Sequence, residues 1–329
     1  MPKTIVVLAP GEMGAAVGAR LVAGGAHVVT SLAGRSAASA ERARRAGLAV
    51  AATDAELIAG AELVLSIVPP GEAVAVAKRL RPALARLPEK PVYVDFNAVS
   101  PDTVRHIAAA LAETRCPFVD GGIIGPPPTA TARTVFYVAG DHAGRAATMR
   151  DLGLDMRVVE GPVGAASALK MSYAGITKGL TAIGAAMMLG ATRAGCAGDL
   201  VAELAESQPQ VFKWLGRQVP AMFPKAYRFV AEMEEIADFL HTDRPACEIY
   251  HAVAMLYARL AAAEGAADVD ALGRVFGAPG RMSIAADADV TPAGVAATGV
   301  AATAAAQTGA MQAGAMETGA IAAGRDTAR

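Results

Sequence analysis

Between Thr4 and about Glu160 the chain alternates short β-branched runs with stretches of helical periodicity. The runs are TIVVLA (4–9), HVVTSL (27–32), LVLSIVP (63–69), VYVDFN (92–97), PFVDG (117–121), TVFYVAG (134–140) and MRVVE (156–160). The segments AAVGARLVAGG, SAASAERARRAG, GEAVAVAKRLRPALARL and SPDTVRHIAAALAET lie between them, with the spacing of amphipathic helices. Strands that are apolar on both faces and separated by helices belong to parallel sheets covered on both sides.

After Gly164 the pattern changes to long helical runs, AASALKMSYAGITKGLTAIGAAMMLGATRAG, PKAYRFVAEMEEIADFL and CEIYHAVAMLYARLAAAEG. The expected fold is α/β: a Rossmann-type doubly wound parallel sheet over residues 1–160, followed by an all-α C-terminal domain over 161–282. A length of 329 residues suits two domains rather than one core. Apolar residues make up 53% of the sequence but aromatics only 5%, so the helices should pack closely through small side chains. Residues 283–329 form a low-complexity Ala/Gly/Thr tail in which Thr-Gly recurs at Thr298, Thr308 and Thr318.

A formal net charge of -1 offers no field to gather nucleic acid or an anionic membrane, so the expected partner is a small molecule. Cys116, Cys196 and Cys247 show neither metal-ligand spacing nor a disulfide framework, and no metal site is expected. The N-terminus has no export signal and the tail is a poor membrane span, which leads to the expectation of a soluble cytoplasmic protein.

The first run leads directly into Pro10, Gly11, Glu12, Met13 and Gly14, and a helix follows. A dinucleotide pyrophosphate would sit there: Gly11 lets backbone approach phosphate, Gly14 lets helix pack on strand, and the helix N-terminus supplies N–H donors. The first glycine of the usual fingerprint is Ala9. The second strand ends at Thr30-Ser31 without the carboxylate that would accept from an adenosine ribose. Ser31, Arg35 and Ser36 stand there instead and offer hydroxyls and a guanidinium to a 2′-phosphate, so the expected cofactor is NADP(H) rather than NAD(H). Val68, Pro69 and Asn97 lie at further strand ends, on the carboxyl edge where ligands bind. Asn97 is read either as a holder of the nicotinamide ribose or as an ordinary turn residue.

Lys170 follows the turn Gly161–Gly164 on a helix of small and apolar residues. Such a lysine ordinarily snorkels to solvent. Desolvated in a cleft, a lysine has its charged form disfavoured and exchanges protons near neutral pH, as transfer to or from a carbinol oxygen requires.

Three motifs in this order and spacing, APGEMG (9–14), VDGGIIGPPP (119–128) and GPVGAASALKMSYAG (161–175), resemble the β-hydroxyacid dehydrogenase superfamily, which includes 6-phosphogluconate and 3-hydroxyisobutyrate dehydrogenases. The later segment PKAYRFVAEMEEIADF resembles the C-terminal domain of a less characterised branch. The resemblance implies an NAD(P)-dependent oxidoreductase acting on a 3-hydroxy acid or its carbonyl form, with Lys170 as general acid and base. It places Gly121, Gly122 and Ile123 against the substrate and implies a homodimer.

Two residues depart from the family pattern. Its asparagine four residues beyond the lysine is Ala174, and the serine of its substrate loop is replaced within Gly122-Ile123-Ile124-Gly125. Ser172, Tyr173 and Thr177 are candidate substitutes on the helix of Lys170. Lys225 and Arg228 are candidates for a substrate carboxylate or phosphate, unless Arg228 pairs with Glu232 and Glu235 on a solvated helix face. An imine reductase of the same architecture and an inactive NADPH-sensing protein are the alternative readings.

Overall fold

The computed structural model describes residues 2–129 and 131–276. The tail beyond residue 282, with its Thr-Gly repeats, lies outside the described residues.

The first half of the chain is β1 (Thr4–Val7), α1 (Glu12–Ala23), β2 (His27–Ser31), α2 (Ala37–Arg45), β3 (Ala49–Ala51), α3 (Asp54–Ile58), β4 (Leu63–Ser66), α4 (Ala73–Arg86), β5 (Val92–Asp95), α5 (Pro101–Leu111), β6 (Phe118–Ile124), β7 (Val135–Ala139), α6 (Ala143–Ala147) and β8 (Asp155–Val158). The strands form one eight-stranded sheet in the order β3-β2-β1-β4-β5-β6-β7-β8. β1 is central: Ile5 pairs with Val28 of β2 on one side and with Leu63 of β4 on the other. Strand order reverses between β1 and β4, and in open α/β sheets that reversal opens a ligand crevice at the carboxyl edge.

The sheet is parallel except at β6–β7, which pair antiparallel with Gly122 opposite Tyr137. Residues 125–134 join these two strands, and so short a link cannot make the crossover that a parallel pair needs. Short β3 is the strand that the sequence pattern does not single out: three residues, two of them alanine, carry little β-branched signal.

Local chemistry sets the helix starts. Ser36, Thr53 and Ser100 cap α2, α3 and α5 by accepting from the amides of Ser39, Glu56 and Thr103. The sheet buries Ile5, Val7 and Val28 against α1 and α6 on one face. On the other face Val6, Val64 and Tyr93 pack against α3, α4 and α5.

The second half is helical: α7 (Ala165–Ala194), α8 (Ala197–Ser207), α9 (Pro209–Met222), α10 (Ala226–Phe239), α11 (Arg244–Ala261) and α12 (Ala266–Phe276). Its core gathers Met171, Met188 and Leu189 of α7 with Leu215, Met233, Ile236 and Tyr257. Close approach through small residues holds here: a Cβ on Gly184 would lie 2.4 Å from Leu215 Cδ2, and one on Gly175 2.9 Å from the Tyr250 hydroxyl. Helix α7 is long and apolar enough to cross a membrane by length and composition, yet half of its most apolar window is buried inside this fold.

Candidate active site

The turn after β1 is built from backbone. Gly11 caps α1 without a side-chain hydrogen bond, and a Cβ added there would meet nothing within 4 Å, so its outer side is open to a ligand. Gly14 is the reverse: a Cβ would lie 2.1 Å from the Ala9 carbonyl oxygen, so only glycine lets α1 pack this close to β1. An open backbone cradle at a helix N-terminus is what a dinucleotide pyrophosphate requires, and the residues present fit that group. Pro10 belongs to the same turn, and its carbonyl accepts from Arg42 Nε at 3.1 Å. Arg42 carries no sequence signal for this role because it sits a full turn into α2, beyond the Arg35-Ser36 pair.

Of the candidates for the adenosine end, Ser36 caps α2 and Ser31 Oγ accepts from the Ala33 amide at 3.3 Å. Arg35 Nη2 donates to Glu72 at 3.0 Å. That contact fixes the arm and leaves other guanidinium N–H groups to donate.

Asn97 is buried in a hydrogen-bonded network at the ends of β4 and β5. Its Oδ1 accepts from the Val68 amide at 2.7 Å, and its Nδ2 donates to Ser66 Oγ at 2.9 Å and to Asp95 at 2.8 Å. The side chain thereby ties Val68 and Pro69 into place. Burial pushes the Asp95 carboxyl up to about 7 against the pull of the Asn97 donors.

Lys170 is placed by a second buried carboxylate. Asp120 of β6 accepts from the amides of Gly164, Ala166 and Ser167 at 2.9, 2.8 and 3.1 Å and from Ser167 Oγ at 2.5 Å. A carboxylate on the first turn of a helix meets both free N–H groups and the positive dipole end, so Asp120 docks α7 on the sheet. Gly122 keeps the two elements close, since its Cβ would lie 3.0 Å from Lys170 Cβ and from the Ala166 carbonyl. Gly121 lies against the Phe96 ring, where a Cβ would be 2.5 Å from Cδ1. Both glycines therefore act first by letting neighbours approach.

The Lys170 ammonium does not snorkel. It donates to the Ile123 carbonyl at 2.8 Å and stands 3.7 Å from Glu232 Oε1, its side chain 17% exposed and that of Glu232 12%. Glu232 is also bound by Lys178, whose ammonium lies 4.4 Å from the Phe229 ring centroid. Burial would push the Glu232 carboxyl up, but Lys178 and Lys170 overcome it and hold it below the ordinary range. Burial likewise draws Lys178 down, with Glu232 opposing.

Helix α10 corrects one expectation. Arg228 does not pair with Glu232 or Glu235, and that face is not a solvated set of intrahelical ion pairs. Arg228 reaches Glu12 on the first turn of α1 at 3.2 Å, and Glu232 turns to the lysines. Glu235 accepts from the Ser100 amide at 2.6 Å, and Asp238 from Ser100 Oγ at 2.8 Å. Helical spacing permits an Arg228–Glu232 contact, but buried or amide partners from other elements hold these carboxylates more strongly than an exposed pair would. One face of α10 thus meets the start of α1, the Lys170 helix and the start of α5.

The remaining candidates do not converge on Lys170. Tyr173 is half-exposed, Ser172 and Lys225 are exposed, and Thr177 Oγ1 donates to the Tyr173 carbonyl at 2.9 Å. Ala174 is buried in the helical core.

Comparison with known proteins agrees with this architecture. Residues 4–152 match the NAD binding domain of 6-phosphogluconate dehydrogenase, and residues 191–260 match a domain of unknown function, DUF1932. An uncharacterised 28.5 kDa protein of Methanothermus fervidus is 29% identical over 215 residues, 65% of this chain and 82% of that protein. A solved protein of unknown function, described as structurally similar to 3-hydroxyacid dehydrogenases, is 27% identical with a TM-score of 0.63, covering 82% of this chain and 99% of that one. The 3-hydroxyisobutyrate dehydrogenase of Mycobacterium tuberculosis shares the fold at 22% identity and a TM-score of 0.66, covering 84% and 98%. Residues 4–152 thus match the NAD binding domain of 6-phosphogluconate dehydrogenase, and the mostly parallel sheet followed by a helical second half is the fold of 3-hydroxyacid dehydrogenases.

Proposed function

We propose that this protein is an NADP-dependent oxidoreductase that interconverts a 3-hydroxy acid and its carbonyl form, with Lys170 as general acid and base. The observation that carries the reading is the Lys170 ammonium, held on the Ile123 carbonyl in a mostly buried setting. Helix α10 connects that setting to the cofactor turn through Glu12. An ammonium has three N–H donors, so one remains for a substrate oxygen.

The bound nicotinamide would accept the hydride from the carbinol carbon. As the neutral amine Lys170 takes the hydroxyl proton in that direction, and as the ammonium it returns the proton to the carbonyl oxygen in the other. Ile123 orients the lysine, while Gly121 and Gly122 shape the adjoining wall. Pro10, Gly11, Met13 and Gly14 form the phosphate turn. Ser31, Arg35 and Ser36 receive the 2′-phosphate, with Val68, Pro69 and Asn97 towards the nicotinamide. Arg228 and Lys225 draw an anionic substrate group to the mouth.

In this reading residues 1–160 hold the cofactor and 161–282 supply Lys170 and the subunit contact in a cytoplasmic homodimer. The contact is assigned to Tyr173, Ile176, Leu180, Ile183 and Met187 of α7, all more than half exposed. Their alternating spacing of three and four is that of helix packed on helix. Ile183→Glu should convert a dimer to a monomer in light scattering.

The function is tested by initial rates with NADP⁺ and NAD⁺ over a panel of 3-hydroxy acids. Turnover favouring NADP⁺ is expected. Reduction confined to imines, or NADPH binding without any turnover, would refute it.

A further inference from the structure

The mechanism assigns no role to Lys178 and Glu232, two charged side chains enclosed beside the reacting group. Glu232 comes from α10 and meets Lys178, which lies two turns beyond Lys170 on α7. Tyr257 of α11 donates to the Lys178 carbonyl at 2.7 Å, and Phe229 covers the Lys178 ammonium. An ion pair this enclosed contributes little net stability compared with apolar residues of the same volume. Its geometry is informative for another reason, because the same carboxylate also serves the Lys170 ammonium.

We propose that Glu232, anchored by Lys178, is the positioning residue for Lys170: it spans from α10 to α7 and holds the Lys170 ammonium between its own carboxylate and the Ile123 carbonyl. This rests on the reading of Lys170 as the acid–base group. The two lysines share one carboxylate, so each takes charge compensation from the other. The cluster therefore sets where Lys170 points. Four neighbouring charged or titratable groups have partners of their own. Asp120 of β6 caps α7, Arg228 pairs with Glu12, Glu235 binds Ser100, and the Tyr257 hydroxyl binds backbone.

Removing one member or the other should move Lys170 in opposite directions, which a merely structural pair would not do. The readout is acetylation of Lys170 by acetic anhydride across pH, followed by mass spectrometry on the intact folded chain. Glu232→Gln takes away the carboxylate and leaves two facing ammoniums, so half-modification should move to lower pH by about one unit or more, the scale of a charge at this range. Lys178→Met leaves Glu232 to Lys170 alone and should move it to higher pH. Glu232→Asp should stay near wild type.

With a hydroxy acid substrate, Glu232→Gln should lower kcat by about 10- to 100-fold, within the span of acid–base catalysis, while KM changes less than about threefold. If neither substitution moves Lys170, or both move it the same way, the proposal is overturned. If Glu232→Gln fails to fold, as its melting curve would reveal, Lys178→Met decides alone: no upward movement overturns it. Opposite movements in a protein that turns over no hydroxy acid would uphold the positioning and remove the proposed reaction.

Discussion

The turn at residues 9–14 and the cluster around Lys170 are joined by α10 but made from opposite materials. The turn works by missing side chains: Gly11 leaves its outer side open and Gly14 permits a contact no Cβ could survive. The cluster works by side chains alone, with two ammoniums and one carboxylate from two helices in a setting less than one-fifth exposed. A backbone cradle is encoded locally, whereas a charge cluster depends on the packing of distant segments. The first should therefore fail abruptly on substitution, and the second should be adjustable.

The largest effect should come from Gly14→Val, which drives a branched side chain into the Ala9 carbonyl. Calorimetric titration should find NADPH binding weakened by about 100-fold or more, roughly 2.7 kcal/mol, or no folded protein. Near-normal binding would mean that the turn is not the phosphate cradle.

Gly122→Ala tests the seam between the two regions, because the added methyl would meet Lys170 Cβ at 3.0 Å. The rate should fall by about 10- to 100-fold through misplacement of the lysine, with cofactor affinity nearly unchanged by fluorescence titration.

Asp95 gives a pH test on the cofactor side. Its carboxyl is raised from 3.8 to about 7 by burial, so the unfolded chain releases a proton that the folded chain keeps. The contribution to stability is full at the acid end of that window and is lost as pH rises to its neutral end. Denaturant melts of wild type and Asp95→Asn between those limits should diverge by up to about 1.4 kcal/mol per pH unit. Parallel curves would contradict the burial argument.

The smallest effects should be at the rim. Arg35→Ala should weaken NADPH by about tenfold, roughly 1.4 kcal/mol, and leave NADH unaffected. Arg228→Ala breaks an exposed pair with Glu12 and should cost stability no more than about 1 kcal/mol.

The same contrast explains what the sequence reveals. The strand-helix alternation, the glycine turn and Lys170 are legible because each lies within one contiguous motif. Short β3, with two alanines, has too little apolar pattern to stand out, and β7 reads as one more parallel strand because the direction of pairing leaves no trace in hydrophobicity. Glu232 is the instructive case. Helical spacing offered Arg228 as its partner, but its partner Lys178 is 54 residues away in sequence. Asp120 was visible within VDGG, yet its role as the cap of α7 depends on where α7 begins.

Hydride transfer assisted by Lys170 is tested most directly by following NADPH absorbance with NADP⁺ and a panel of 3-hydroxy acids, wild type beside Lys170→Ala. Turnover by the wild type and a loss of about 10²- to 10⁴-fold in kcat for the variant is the predicted result. Equal rates in the two proteins would make Lys170 a structural lysine and contradict the account.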